Sequence, residues 1–302
     1  MSAATLSLSG ELGATRWGAT LAGLTRFART SPLGTAAGFV LVAAICLALL
    51  APVVAPFDPT LNQYQKLALE PNAEHVMGTD KLGRDVYSRL LYGARISLLV
   101  AFTAVTIGEV LGFSLGVASA YAGGRLDLVS QRLIDVLMSF PTLILAMLLM
   151  AGLGAGISTV IIAIAITRIP GSARIIRSVA LSIKQMQYVE AARVTGSSHW
   201  RIMVRHIAPQ CLAPLLIVFS LNLGSAIFAE AALSYLGAGV PPPTPSLGNM
   251  LGEQNAQSFK PPWWLVLYPG LAITIIILAA NLVGDGVRDF LDPRLKGRGA
   301  ER

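Results

Sequence analysis

Five stretches of this chain each run for more than twenty residues with at most one charged side chain: 31–57, 96–124 with Glu109, 136–167, 207–252 with Glu230, and 261–284. A bilayer core of about 30 Å is crossed by about 20 apolar residues in a helix. Inside it every backbone N–H and C=O must be satisfied within the segment or around a closed barrel. The stretches lack the apolar-out, polar-in alternation of a membrane barrel. Helices remain. Composition agrees: 54% of residues are hydrophobic and 13% charged, where soluble domains carry about 25% charge. The chain is therefore read as an all-α membrane protein.

The number of crossings turns on the third stretch. Its 32 residues, 136–167, would measure roughly 48 Å as one helix. The run Gly152-Leu153-Gly154-Ala155-Gly156 in its middle reads as a turn. Two helices that borrow their cytoplasmic ends from Leu128–Asp135 and Arg168–Leu181, with charged groups snorkelling, fit better. That predicts six transmembrane helices. With the N-terminus inside, 17 of the 23 basic residues fall on the cytoplasmic side, among them the run Arg168 to Arg205. Lys66, Lys81, Arg84, Arg89, Arg95 and Lys260 remain outside. The positive-inside rule favours this arrangement. A five-span chain with the N-terminus outside would still place a majority inside, so the glycine turn decides between them. The first apolar run follows about 30 residues with three arginines and has no small-residue cleavage site after it, so it is read as a retained span.

The resulting organisation is a cytoplasmic N-terminal segment 1–33, a first transmembrane helix 34–57, an extracytoplasmic segment 58–95, a transmembrane core 96–290 and a cytoplasmic tail 291–302. The outer segment 58–95 is too long for a hairpin turn. A second outer segment, 237–262, contains Pro241-Pro242-Pro243-Thr244-Pro245, which can neither continue a helix nor pair as a central strand. Both are expected to fold over the outer mouth. Cys46 and Cys211 lie in apolar runs and read as small hydrophobes. His75, His199 and His206 lack metal-ligand spacing. The net charge of +7 is dispersed along the borders of the spans rather than gathered in one stripe, which argues for membrane topology and against nucleic acid.

The densest information lies in 182–209, between the fourth and fifth spans. Gln185 to Val194 is predicted as a short helix ended by Gly196, and Ser197-Ser198 can cap a second helix from His199 to Ile207. Pro209 then opens the fifth span. Glu190-Ala191-Ala192, Gly196, Ile207 and Ala208-Pro209 resemble the EAA loop of permease subunits of ATP-binding-cassette (ABC) importers. The resemblance extends to His75-Val76-Met77-Gly78-Thr79-Asp80-Lys81-Leu82-Gly83-Arg84-Asp85, to Ala231-Ala232-Leu233-Ser234-Tyr235-Leu236-Gly237, to Pro242 through Leu251 and to Gly284 through Arg294. These are similar to C-type permeases of dipeptide and oligopeptide importers over roughly residues 31 to 296. Leu247 stands where a Trp is usual and Pro241 where a Gln is common.

The resemblance implies a type I ABC importer permease fold with a short cytoplasmic coupling helix, in a bacterial inner membrane with both termini cytoplasmic. It also implies four kinds of surroundings: a homologous second permease, two cytoplasmic ATPase subunits, an extracytoplasmic substrate-binding protein and the lipid bilayer. Its substrates would be dipeptides or oligopeptides, or the nickel, glutathione or haem handled by relatives. Glu190, Ala191, Ala192, Gly196, Ile207 and Pro209 would couple to the ATPase, where small Ala191 and Ala192 permit close approach. The chain has no G-x-x-x-x-G-K-[ST] sequence to cradle phosphates, so ATP and Mg are expected on the partner ATPases, with no cofactor and no catalytic site here. Carboxylates in a membrane are expensive enough to mark a pathway. Glu230, with Asn222 two turns below it, and Glu109 are the candidates. Arg84, Asp85 and Arg89 are expected at an outer gate or a binding-protein contact. The competing class is a self-contained secondary carrier or channel, for which two intramembrane carboxylates are thin support.

Overall fold

The computed structural model describes residues 27–28, 30–255 and 261–291, and its regular elements are helices with one isolated antiparallel bridge between Thr79 and Asp85. Most of the expected cytoplasmic lead and tail, with Arg16, Arg26, Arg29, Arg294, Lys296, Arg298 and Arg302, lies outside the described residues, as does Lys260.

Helix α1, Pro32–Leu49, carries a proline in its first turn, where the missing N–H costs nothing, and passes into the short α2, Ala51–Val54. The outer segment then crosses over to α3, Val86–Ala122, which begins where Asp85 accepts a hydrogen bond from the backbone N–H of Ser88. Thirty-seven residues make α3 about 55 Å long, so it extends beyond the hydrocarbon core. Helix α6, Ile157–Lys184, α9, Leu212–Tyr235, and α11, Trp263–Leu291, supply three more crossings.

The third span differs from expectation. It is not a straight helix borrowing Leu128–Asp135. It is two helices, α4, Gly124–Met138, and α5, Thr142–Leu153, bent by 94°. Pro141 sits at the bend with an extended ψ of 132°, because a proline ring cannot continue the preceding helix and also restricts the residue before it. Helix α4 carries Arg125, Asp127, Arg132 and Asp135 on an amphipathic surface, while the 12 residues of α5 reach only about 18 Å. Five helices are thus long and apolar enough to cross alone, and six crossings are reached with the bent pair as one. The glycine turn that separates α5 from α6 is present, with Gly154 at φ +87°.

The innermost contact joins α3 to α6. A stripe of Gly108, Gly112 and Gly116 faces α6, where an added Cβ would lie 2.8 Å from Ala165 O, 2.6 Å from Ser172 Cβ and 2.7 Å from Ala173 O. Water offers no hydrophobic drive between helices already in lipid, so packing of small residues at backbone distance holds such a pair together. Val100, Ala104, Val160, Ile164, Ile227 and Leu233 continue the buried core toward α9. Beyond α9, the proline run is irregular as expected, but 247–255 folds into a further short helix, α10, Leu247–Asn255, which the sequence pattern did not reveal.

Candidate functional site

At its C-terminal end α6 stops at Lys184 and the chain turns into α7, Gln187–Val194. Gly196 takes φ +79°, a backbone conformation that suits glycine, and so reverses the chain after α7. Ser198 then caps α8, His199–Ile202, by accepting from the Arg201 N–H. The expected break at Pro209 is absent. Instead α8 runs through a π-turn, Met203–Ile207, and a 3₁₀ turn, Ala208–Cys211, directly into α9, so that His199–Tyr235 is one rod of 37 residues. The change of helical type absorbs the N–H that Pro209 lacks.

Burial divides this loop into two faces. Val189, Ile202, Ile207 and Cys211 are fully enclosed and pack against Val117, Ala120, Ile176, Ala180 and Ile183 from the ends of α3 and α6. Glu190, Ala191 and Gly196 point outward, Ala192 is half-buried and Pro209 is exposed. Beside them Trp200 is 70% and Val194 82% exposed. An uncovered apolar patch around a carboxylate fits a protein partner. Two residues not foreseen from sequence fasten the loop. Lys184 Nζ donates to the carbonyls of Ala120 at 3.0 Å and Tyr121 at 2.7 Å, satisfying the open end of α3. Tyr121 Oη lies 2.8 Å from His199 Nδ1. Arg177 pairs with Asp127 through both carboxylate oxygens, and Arg174 reaches Asp135 at 2.6 Å, so α4 is tied to α6 at the same level.

The intramembrane candidates separate into two groups. Asn222 does not work with Glu230. Its Nδ2 donates to Glu109 Oε1 at 2.6 Å, bridging α9 and α3, with Arg168 of α6 close enough to act electrostatically on the carboxylate. Glu109 Oε2 has no hydrogen-bond partner. Glu230 lies higher, is wholly buried, and accepts from Ser234 Oγ at 2.8 Å.

Arg84, Asp85 and Arg89 are also enclosed rather than presented outward, with exposures of 4%, 3% and 1%. Asp85 caps α3 and lies 2.9 Å from Nδ1 of the buried His75. Arg84 Nε donates to Asp80 Oδ2 at 2.6 Å, and both Arg84 and Arg89 donate to Glu253 Oε2, at 2.5 and 3.1 Å. Glu253 belongs to α10, so this network ties the first outer segment to the second. Glu253 was missed from sequence because 169 residues separate it from Arg84 and only folding joins them, whereas Asp80 lies only four residues before Arg84. At the exposed edge of the outer segment, the Lys66 ammonium donates to Glu74 and holds that carboxyl below its usual range.

A family described as binding-protein-dependent transport system inner membrane component matches residues 91–297. The glutathione transport system permease protein GsiD of Escherichia coli O1:K1 / APEC is 43% identical over 273 residues, covering 90% of this chain and 89% of that one. The dipeptide transport system permease protein DppC of Haemophilus influenzae is 41% identical over 265 residues, covering 85% and 89%. Among solved structures, the inward-facing MetNI methionine ABC transporter superposes with a TM-score of 0.55 at 20% identity, covering 67% of this chain and 95% of the matched one. That likeness concerns the fold.

Proposed function

This chain belongs to the family of inner membrane components of binding-protein-dependent transport systems, and from that premise we propose that it forms half of the translocation pathway of an ATP-driven importer for dipeptides, oligopeptides or a related compound such as glutathione. Relatives named for peptide and glutathione transport, alike along nearly their whole length, support this substrate class. Its partners in this reading are a homologous second permease, two cytoplasmic ATPases that hold ATP and Mg, and the extracytoplasmic binding protein. The termini and the 182–209 loop face the cytoplasm.

The observation that carries the proposal is the two-faced loop. Val189, Ile202 and Ile207 fix it rigidly to the ends of α3 and α6, while Glu190, Ala191 and the neighbouring Val194 and Trp200 face water at the foot of a continuous rod. A short helix docked in an ATPase groove would turn closure of the nucleotide sites into rotation of α9, an interface motion of the rigid-body kind. Glu109 with Asn222 would line the path at the level where α3 and α9 face each other, and the buried Arg84, Arg89 and Asp85 cluster would serve as part of the outer gate.

The test is to purify the tagged chain from native membranes in mild detergent and to assay its companions and ATP hydrolysis, for wild type and Glu190→Ala. We expect an ATPase and a second permease to co-purify, and the substitution to release the ATPase or to lower substrate-stimulated hydrolysis about tenfold or more, the loss of a charged interface contact. A chain that comes alone and transports in liposomes without ATP would instead be a self-contained carrier.

A further inference from the structure

The side chain of Glu230 sits among hydroxyls that hold backbone amides of the outer segment. Three serines surround it. Ser234 Oγ, one turn along α9, donates to Glu230 Oε1 at 2.8 Å and accepts from the Val240 N–H at 3.2 Å. Ser97 on α3 and Ser246 at the start of α10 also interact with the carboxyl. Ser97 Oγ accepts from the Leu247 N–H at 3.2 Å, and Ser246 Oγ accepts from the Asn249 N–H at 3.2 Å. A hydroxyl that accepts a backbone N–H has its own proton left to give, and hydroxyl protons rotate to suit. Glu230 Oε2 is buried and has no hydrogen-bond partner, and it lies among the Ser97 and Ser246 hydroxyls. Ser234 thus joins the Val240 amide to the carboxylate, while Ser97 and Ser246 hold the Leu247 and Asn249 amides beside it. Ser97, Glu230, Ser234 and Ser246 are between 0% and 3% exposed, which leaves no surface on this carboxylate for a passing substrate.

Packing brings the same segment to backbone distance. A Cβ on Gly248 would lie 2.3 Å from Ala231 O, and one on Gly252 would lie 2.5 Å from Tyr235 O, so α10 rests directly on the last two turns of α9. Asn249 closes the loop upon itself, donating through Nδ2 to the carbonyls of Val240 and Thr244. The rod His199–Tyr235 therefore carries the ATPase-facing loop at one end and the outer cap at the other.

We propose that Glu230 is a positioning residue rather than a substrate contact: through Ser97, Ser234 and Ser246 it locks the outer cap 240–255 to α9 and α3, so that the cap moves with the rod. This rests on the importer function proposed above. A carboxyl group is suited to the post because its two oxygens can each meet hydroxyl groups on different sides. Glutamine would turn two N–H groups toward hydroxyls whose protons then have nowhere to go.

Backbone hydrogen exchange on the full reconstituted complex tests the clamp directly. Glu230→Ala and Glu230→Gln are expected to speed exchange of the Val240, Leu247 and Asn249 amides by about tenfold, from loss of the buried hydrogen bonds that centre on Glu230. Peptides covering 187–211 should keep wild-type rates. Ser97→Ala should speed Leu247 alone and guards against a Glu230 variant that fails to fold. In proteoliposomes with the binding protein, uptake should fall while ATP hydrolysis continues, since the cytoplasmic end is untouched. Unchanged amide exchange in both Glu230 variants overturns the clamp. Faster exchange with normal uptake overturns its role in transport. Neither exchange result depends on ATP, so a chain that proves to be a lone carrier would defeat the importer function and leave the clamp to be judged by its own amides.

Discussion

Individual buried charges set the outer face of this molecule. Arg84 and Arg89 share Glu253, and Arg84 also holds Asp80, so each charge has a partner in a place where water is scarce. Removing one member of such a set costs more than the set contributes, because the others stay buried with one counter-charge too few. Arg84→Ala should lower stability by about 3 kcal/mol, seen as an earlier thermal unfolding midpoint in detergent, and Arg84→Ala with Glu253→Gln should recover part of that loss. A double variant no better than the single would show that the two groups act independently. At the opposite end, Val189 is the only residue of α7 that is fully buried. Val189→Asp should detach the loop and abolish stimulated ATP hydrolysis while leaving the amount of folded chain in the membrane near wild type, a split that immunoblotting and an ATPase assay would read together.

Among the elements, the α3–α6 pair carries the least tolerance. The Gly112 site has no room for a side chain, with Ser172 Cβ and Ile169 O at 2.6 and 3.0 Å from an added Cβ. Gly112→Leu should force the helices apart and leave little monodisperse protein on size exclusion, whereas Gly152→Leu, where an added Cβ meets nothing within 4 Å, should be accepted. Equal yields from the two would mean that close packing does not hold this pair. The bent α4–α5 pair is the element whose shape departs most from its sequence. Its apolar content alone suits a span, but Pro141 ends the helix and the Arg177–Asp127 and Arg174–Asp135 pairs hold α4 against α6.

For the whole molecule, the central relation is the rod His199–Tyr235, which places a water-facing apolar patch at one end and the outer cap at the other. The proposed orientation makes a simple prediction about access. In a chain with Cys46 and Cys211 replaced by Ala, a cysteine at Trp200 should react with an impermeant thiol reagent only from the cytoplasmic side, and one at Tyr64, which is 69% exposed in the outer segment, only from the other. Both reacting from the same side would overturn the topology. With the ATPases bound, the Trp200 position should become protected, because the loop is then covered.

The chain's sequence alone determined the helical membrane class, the positions of the apolar spans and the helix-turn-helix course of the 182–209 loop. Those features depend on local hydrophobicity, on charge next to the spans and on a run of 20 residues, Glu190 to Pro209, all of which are adjacent in the chain. The glycine turn at Gly154 and the reversal at Gly196 were legible for the same reason, since each is a property of one residue's backbone. Partnership across the chain was decided only by tertiary structure. Asn222 lies eight residues from Glu230 and on a similar helical face, yet it bonds to Glu109 of another helix, 113 residues away. Glu230, a pathway candidate by its cost alone, is enclosed by serines from three elements, and Arg84 finds Glu253 on a helix that the proline-rich pattern concealed. A buried charge announces in sequence only that it must be satisfied; which groups satisfy it depends on helices meeting in space, and the chain states that nowhere locally.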